Sequence, residues 1–312
     1  MNHAAQFGVV VGLLFTVAMN ATAADSPKRY LIIHADDAGM SHSANAATIE
    51  SMEKGIVNSA SIMVPCPWFP EFAAYARQHP EMDFGVHLTL NCEWKHYRWG
   101  PVSTRERATG LLDAEGYLWR SSEEVWAHAD AEAGAAELAA QIERALAAGI
   151  AVTHIDTHMG TIAHPKFLHS YLDLARQHHL PAMIPRWDEE RWQARGYDRQ
   201  TALQAVAAVT ALEEEGVPLF DSVTGLHLDT PEDRMAQAKA ALRSLPPGLT
   251  HFIIHPSKDT PELRAITPDW RGRVADYETF MREELAAFIR NCGLHVIGYR
   301  ALMNEQRVTR KK

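Results

Sequence analysis

Cysteine is scarce in this sequence. Its 312 residues include three, Cys66, Cys92 and Cys292, far apart and without CxxC spacing. Three thiols cannot pair completely, so neither a disulfide framework nor a cysteine zinc site is expected, although a single bond stays open. An excess of positive charge is also lacking: 30 Lys and Arg face 39 Asp and Glu, for a net charge of -9. That balance disfavours nucleic-acid binding as the main task. No GxGxxG or Walker pattern follows the first strand candidate, which argues against a nucleotide fold. No G-x-S-x-G elbow is present to supply a nucleophilic serine. What is plentiful is histidine, 17 in all, which makes metal chemistry worth tracing.

Residues 7–19 read FGVVVGLLFTVAM and are followed by NATAADS. The run is shorter than the ~20 residues of a membrane span. Ala21-Thr22-Ala23 supplies the small-x-small pattern of a signal-peptidase site, although only His3 and the amino terminus offer positive charge ahead of the run. Residues 1–24 are therefore expected to be a signal peptide and 25–312 a single domain, periplasmic or secreted, with no membrane anchor after cleavage. A start codon placed too early would instead leave the protein in the cytoplasm.

Beyond Lys28, short runs rich in Val and Ile alternate with helical patterns. Strand candidates fall at 30–35, 59–64, 84–90, 152–156, 182–184, 222–226, 251–254 and 294–297, the sixth having the weakest pattern. Ser121 with Glu124 reads as a capping box opening a helix that closes at Gly149. Thr230-Pro231 reads as an N-cap with proline at the first helical position, and Leu168, Tyr171, Leu172 and Ala175 mark a helix after Pro165. Tyr277, Phe280, Met281, Leu285, Phe288 and Ile289 predict one helix ended by Gly293. An array of about eight such units predicts an α/β fold, a (β/α) barrel that is distorted or incomplete, with an open doubly wound sheet as the runner-up.

The polar residues gather at strand ends. Asp36 and Asp37 follow the first strand candidate, and His87 lies near the end of the third. His154, Asp156 and His158 end the fourth, Arg186 follows the fifth, and His255 closes the seventh. In a parallel barrel these ends converge on one face, where acids and imidazoles are costly to bury without a metal or mutual pairing. One carboxylate and two imidazoles holding a divalent ion would leave room for water and substrate, and a second carboxylate could accept the water's proton. Such a site cleaves an amide or ester. Taken alone, Asp37 could equally cap the next helix, and His87 could be a core histidine. His34, inside a strand, reads as a satisfied core residue, and Asp156 as support behind a ligand.

HADDAGMSHSAN, GIVNSASIMVP, FGVHLTL and HIDTHMG, in this order, resemble the YdjC-like family of carbohydrate deacetylases, also called the ChbG/HpnK type. The resemblance runs from Tyr30 to His255-Pro256 and more loosely to Tyr299. It implies a (β/α) barrel of the polysaccharide-deacetylase type and metal-dependent removal of N-acetyl groups from amino-sugar oligosaccharides. By the same resemblance Asp37, His87 and His158 would be the metal ligands, for zinc or magnesium. Asp36 would be the general base, His255 the acid for the leaving amine, and Arg186 a partner of Asp36 or of the substrate. Two positions depart from the family pattern: Ala38 stands where Phe is usual, and Gly160 where a further His is usual. Both put oligosaccharide specificity in question. The expected partner is an N-acetylated carbohydrate. The alternatives are a periplasmic carbohydrate-binding protein without turnover, and the same site acting on another amide or an O-acetyl ester. The long stretch 91–120, with Trp94, Tyr97, Trp99, Tyr117 and Trp119, is either a sugar-stacking platform or a loop held by its own apolar cluster.

Overall fold

The computed structural model describes residues 27–309, so the expected signal segment lies outside the described residues. Among the described residues seven strands form one parallel sheet: β1 (Arg29–Ala38), β2 (Ser59–Ile62), β3 (Phe84–Leu88), β4 (Val152–Thr157), β5 (Ser222–Gly225), β6 (Gly248–Ile254) and β7 (Leu294–Val296). Their order is β4-β3-β2-β1-β6-β5, with β7 also on β1. Arg29–Leu31 of β1 pair with β7 and His34–Ala38 pair with β2, so β7 and β2 succeed each other along β1.

Between β4 and β5 the ring closes without a ladder. The Ile155 amide donates to the Pro181 carbonyl (3.0 Å) and the Met183 amide to the Ile155 carbonyl (2.9 Å). The Phe220 amide then donates to the Ile184 carbonyl (2.9 Å) and the Arg186 amide to the Phe220 carbonyl (2.8 Å). The expected fifth strand, 182–184, is thus reduced to isolated bridges, because Pro181 and Pro185 on either side have no N–H to offer a ladder. The weakest candidate, 222–226, does form a strand. The result is the distorted (β/α) barrel expected from the sequence, with one irregular seam.

Side chains alternate along β1. Leu31, Ile33 and Ala35 join the main apolar core, while Ile32 packs with Phe220 and Tyr299. His34, on the same face as Ile32, meets His154 and His251 with ring centroids 5.0 and 4.5 Å away. His154 lies flat on Tyr299, the centroids 3.8 Å apart and the planes 5° from parallel. The barrel interior is therefore unusually polar, and it forms the floor beneath the strand ends.

Local signals placed helix starts better than helix extents. The Ser121–Glu124 capping box is present, yet its helix ends at His128, and Asp130 caps a second one, Ala131–Ala147. The helix foreseen across 277–289 is likewise two, Trp270–Phe280 and Glu283–Asn291. Thr230 does not cap; the helix starts at Arg234, after Asp233 in a left-handed conformation. Pro165 opens Pro165–His178 as expected. Cys66 and Cys92 are buried thiols and Cys292 is half-buried, all unpaired. Among the described residues no helix is long and apolar enough to cross a membrane.

Candidate active site

Two successive residues of a strand point to opposite faces, yet Asp36 and Asp37 both line one cavity. A bulge makes this possible: the β1–β2 register shifts between Ala35 and Ala38, and Asp37 takes a left-handed backbone with φ of 66°. Asp is among the residues that tolerate this conformation, and such strain is characteristic of functional positions.

The second carboxylate, with the imidazoles of β3 and of the turn after β4, forms a nearly equilateral triangle of donors. Asp37 Oδ1 is 3.4 Å from His87 Nε2 and 3.3 Å from His158 Nδ1, and the two nitrogens are 3.3 Å apart. All three residues are buried, and Asp37 Oδ1 accepts no hydrogen bond. A tetrahedral ion about 2.0–2.1 Å from each donor requires separations of about 3.3–3.4 Å, so the donor set fits a divalent metal. Each imidazole is also backed by an acid, as metal-binding histidines usually are. His87 Nδ1 is 2.9 Å from Asp156 Oδ1 and 3.0 Å from Ser61 Oγ, and His158 Nε2 is 3.0 Å from Glu93 Oε2.

The electrostatics favour a cation here. Burial alone would lower both imidazole pKa values. Asp156 and Asp36 nevertheless hold His87 well above its ordinary value, and Glu93 and Asp37 lift His158 to about 9. Burial likewise opposes ionisation of Asp37, but Arg273, followed by His158 and His87, keeps its carboxyl well below the usual range. The Arg273 guanidinium donates to Asp37 Oδ2 at 2.7 Å and to Asp269 Oδ1 at 2.8 Å, leaving Oδ1 of Asp37 to face the histidines.

Beside the triangle, burial pushes Asp36 up to about 7 against the pull of His87. Asp36 Oδ2 is 3.8 Å from both His87 Nε2 and His255 Nε2, and its Oδ1 is 3.3 Å from His34 Nε2. Burial takes His255 down to about 4, so it is neutral at pH 7. The His255 amide is fixed by Asp276 Oδ2 (2.9 Å), a carboxylate whose other oxygen is 2.9 Å from Arg234 Nε.

Five of the six expected site residues thus come together: Asp36, Asp37, His87, His158 and His255. Arg186 does not join them. It is exposed, paired with Glu213 (Nε to Oε1, 3.1 Å) and with Asp221, and makes no contact with Asp36. The arginine of the site is Arg273, from the helix Trp270–Phe280, and no local motif announces it. Glu93 was also missed, although it stands in the loop directly after the strand that carries His87. His34 is the satisfied core residue expected, bonded to Ser59 (2.8 Å) and Ser61 (3.0 Å), and Asp156 supports both His87 and His34. Most of 91–120 is tied to itself. Trp94 and Trp99 are buried edge to face, Arg98 Nη2 donates to Asp113 Oδ2 (2.7 Å), and Trp119 Nε1 donates to the Gly110 carbonyl (2.7 Å). Glu93 and Trp94 are its members that reach the cavity.

Fold and site define a class: a (β/α)-barrel protein with a buried carboxylate–imidazole centre at the C-terminal ends of its strands, suited to a cation. The sequence pattern of the YdjC-like protein family matches residues 30–291, and the chain belongs to that family. A carbohydrate deacetylase of Thermus thermophilus is 32% identical over 279 residues, 88% of this chain and 94% of that protein. A carbohydrate deacetylase of Thermoanaerobacter pseudethanolicus is 25% identical, over 88% of this chain and 99% of its own length. A solved structure from Enterococcus faecalis, described as a candidate cellobiose-phosphate cleavage protein, superposes with a TM-score of 0.70 at 23% identity. It covers 88% of this chain and 99% of its own, and shows the shared fold.

Proposed function

We propose that this protein is a metal-dependent carbohydrate deacetylase that hydrolyses the N-acetyl group of an amino sugar, with water as nucleophile. The donor triangle of Asp37, His87 and His158, with Asp36 and His255 beside it at the head of a cavity of about 520 Å³, carries the reading. The relationship to carbohydrate deacetylases supports the substrate class. A divalent ion, zinc or magnesium, held by those three residues would polarise the acetamide carbonyl and favour deprotonation of water.

The chain's own groups then divide the proton work. Asp36, near neutrality in its pKa, takes the proton of the attacking water at a carboxylate oxygen. His255 starts neutral, so its proton must be delivered to it; Asp36 Oδ2, 3.8 Å from Nε2, is the nearest source. His255 passes that proton to the departing amine, and acetate leaves as the second product. Arg273 keeps Asp37 ionised and turned toward the histidines. No role falls to Arg186.

Acetate release from N- and O-acetylated amino sugars, measured with metal-stripped protein and after reloading with zinc or magnesium, tests this reading. Release should follow the metal. Asp36→Asn should lower turnover by about 10²–10⁴-fold while zinc still binds. Release that survives chelation, or an Asp36→Asn variant with full turnover, refutes it.

A further inference from the structure

Behind the donor triangle, in the barrel interior, a second set of donors meets. His34 and Asp36 of β1, Asp156 of β4 and His251 of β6 each offer one ligand atom, and the four atoms lie within 4.8 Å of one another. His34 Nε2 is 2.9 Å from Asp156 Oδ2 and 3.3 Å from Asp36 Oδ1, with Ser61 Oγ 3.0 Å away at the edge of the group. All four residues are buried, none more than 7% exposed. Asp36 Oδ1, Asp156 Oδ2 and His251 Nε2 nevertheless take part in no well-aligned hydrogen bond. His34 bonds Ser59 Oγ through Nδ1 (2.8 Å), and His251 bonds the Tyr299 hydroxyl through Nδ1 (2.9 Å), which leaves Nε2 of each ring as its free donor.

Carboxylates withdrawn from water need a compensating charge, yet among the described residues neither Asp36 nor Asp156 pairs with a lysine or arginine. The buried guanidinium of Arg273 is taken by Asp37 and Asp269. A divalent cation would cancel the charge of two carboxylates that face two neutral imidazoles. An ion about 2.0–2.2 Å from each donor holds its donors about 3–4.4 Å apart, close to the spacing of this group. We propose that the barrel interior binds a second divalent cation of the zinc class, held by His34, Asp36, Asp156 and His251. Both acids then span the two centres. Asp36 turns Oδ1 inward and keeps Oδ2 toward the cavity, 3.8 Å from His87 and from His255. Asp156 turns Oδ2 inward and keeps Oδ1 on His87 Nδ1 at 2.9 Å. The inner ion would fix both carboxylates from behind, and its presence does not depend on the deacetylase reading.

The test is a metal count. Protein produced in zinc-supplemented medium is analysed for all first-row metals by mass spectrometry, folded before and after exhaustive chelation, and again after unfolding in chelator. Asp37 and His158 line the cavity, so a chelator reaches the outer ion; of the inner donors Asp36 alone lines it, with the other three behind. Wild type should hold two ions per chain, keep one through chelation and release that one on unfolding. His34→Ala and His251→Ala should each hold a single ion that the chelator removes, whereas Asp37→Asn should hold a single ion that it leaves in place. The wild-type count decides the matter even where a variant fails to fold. At most one ion per chain at saturating zinc overturns the inference, the free donors then being satisfied by water. Two ions retained in both histidine variants also overturn it, because the second ion then lies elsewhere. One chelatable ion with metal-restored acetate release overturns the inner site and leaves the deacetylase reading standing.

Discussion

One added methyl group at Gly85 should cost the protein about 2–3 kcal/mol of stability. Gly85 sits in β3, two residues before His87, and a β-carbon there would come within 2.6 Å of His154 Cε1 and closer still to Cδ2 and Nε2. The His154 ring cannot retreat, because its other face lies on Tyr299 at 3.8 Å. Overpacking of this kind costs about 1–3 kcal/mol, and three ring atoms struck together put the penalty at the upper end. The lower entropy of the unfolded alanine chain returns only about 0.4–1 kcal/mol. In a domain of this size the balance lowers the Tm by roughly 3–5 °C. The assay is denaturant and thermal unfolding of Gly85→Ala, His154→Ala and the double variant. In the His154→Ala background the added methyl enters vacated space, so the two changes should be coupled by more than about 1 kcal/mol. A Gly85→Ala Tm within about 2 °C of wild type, or strictly additive effects, refutes the argument.

Two further outcomes follow from buried polar groups. Glu137 accepts from the Val102 amide (2.9 Å), the Ser103 amide (2.7 Å) and Gln141 Nε2 (2.8 Å), anchoring the long loop after β3 to the helix Ala131–Ala147. Glu137→Ala should destabilise by about 3 kcal/mol and speed proteolysis within 100–120, read by urea unfolding and limited digestion; unchanged cleavage there counts against the anchor. Because the three proposed metal donors come from β1, β3 and the turn after β4, zinc at about 100 times its Kd should stabilise the metal-stripped protein by about 2.7 kcal/mol. Thermal shift with and without zinc measures this, Asp37→Asn should abolish it, and an equal shift in that variant disproves the assigned ligands.

Alternation of apolar runs and helical patterns determined the barrel class, because parallel strands buried on both faces and amphipathic helices are written locally. The same locality put Asp36, Asp37, His87, His158 and His255 at strand ends, and a parallel sheet brings such ends to one face whatever the details. Helix breaks at Ala129 and Met281–Arg282 escaped because a continued apolar spacing crosses both. Tertiary structure alone decided the rest. The bulge that turns both aspartates to one side depends on β1 pairing with β2, and where the segment interrupted by Pro181 and Pro185 forms its bridges depends on how β4 and Phe220 meet across the ring. Arg186 and Arg273 are alike as residues. Glu213 and Asp221 hold the first outside, whereas the second is carried 236 positions along the chain onto Asp37. Charge pairing acts through space at a few ångströms, and sequence distance does not record it.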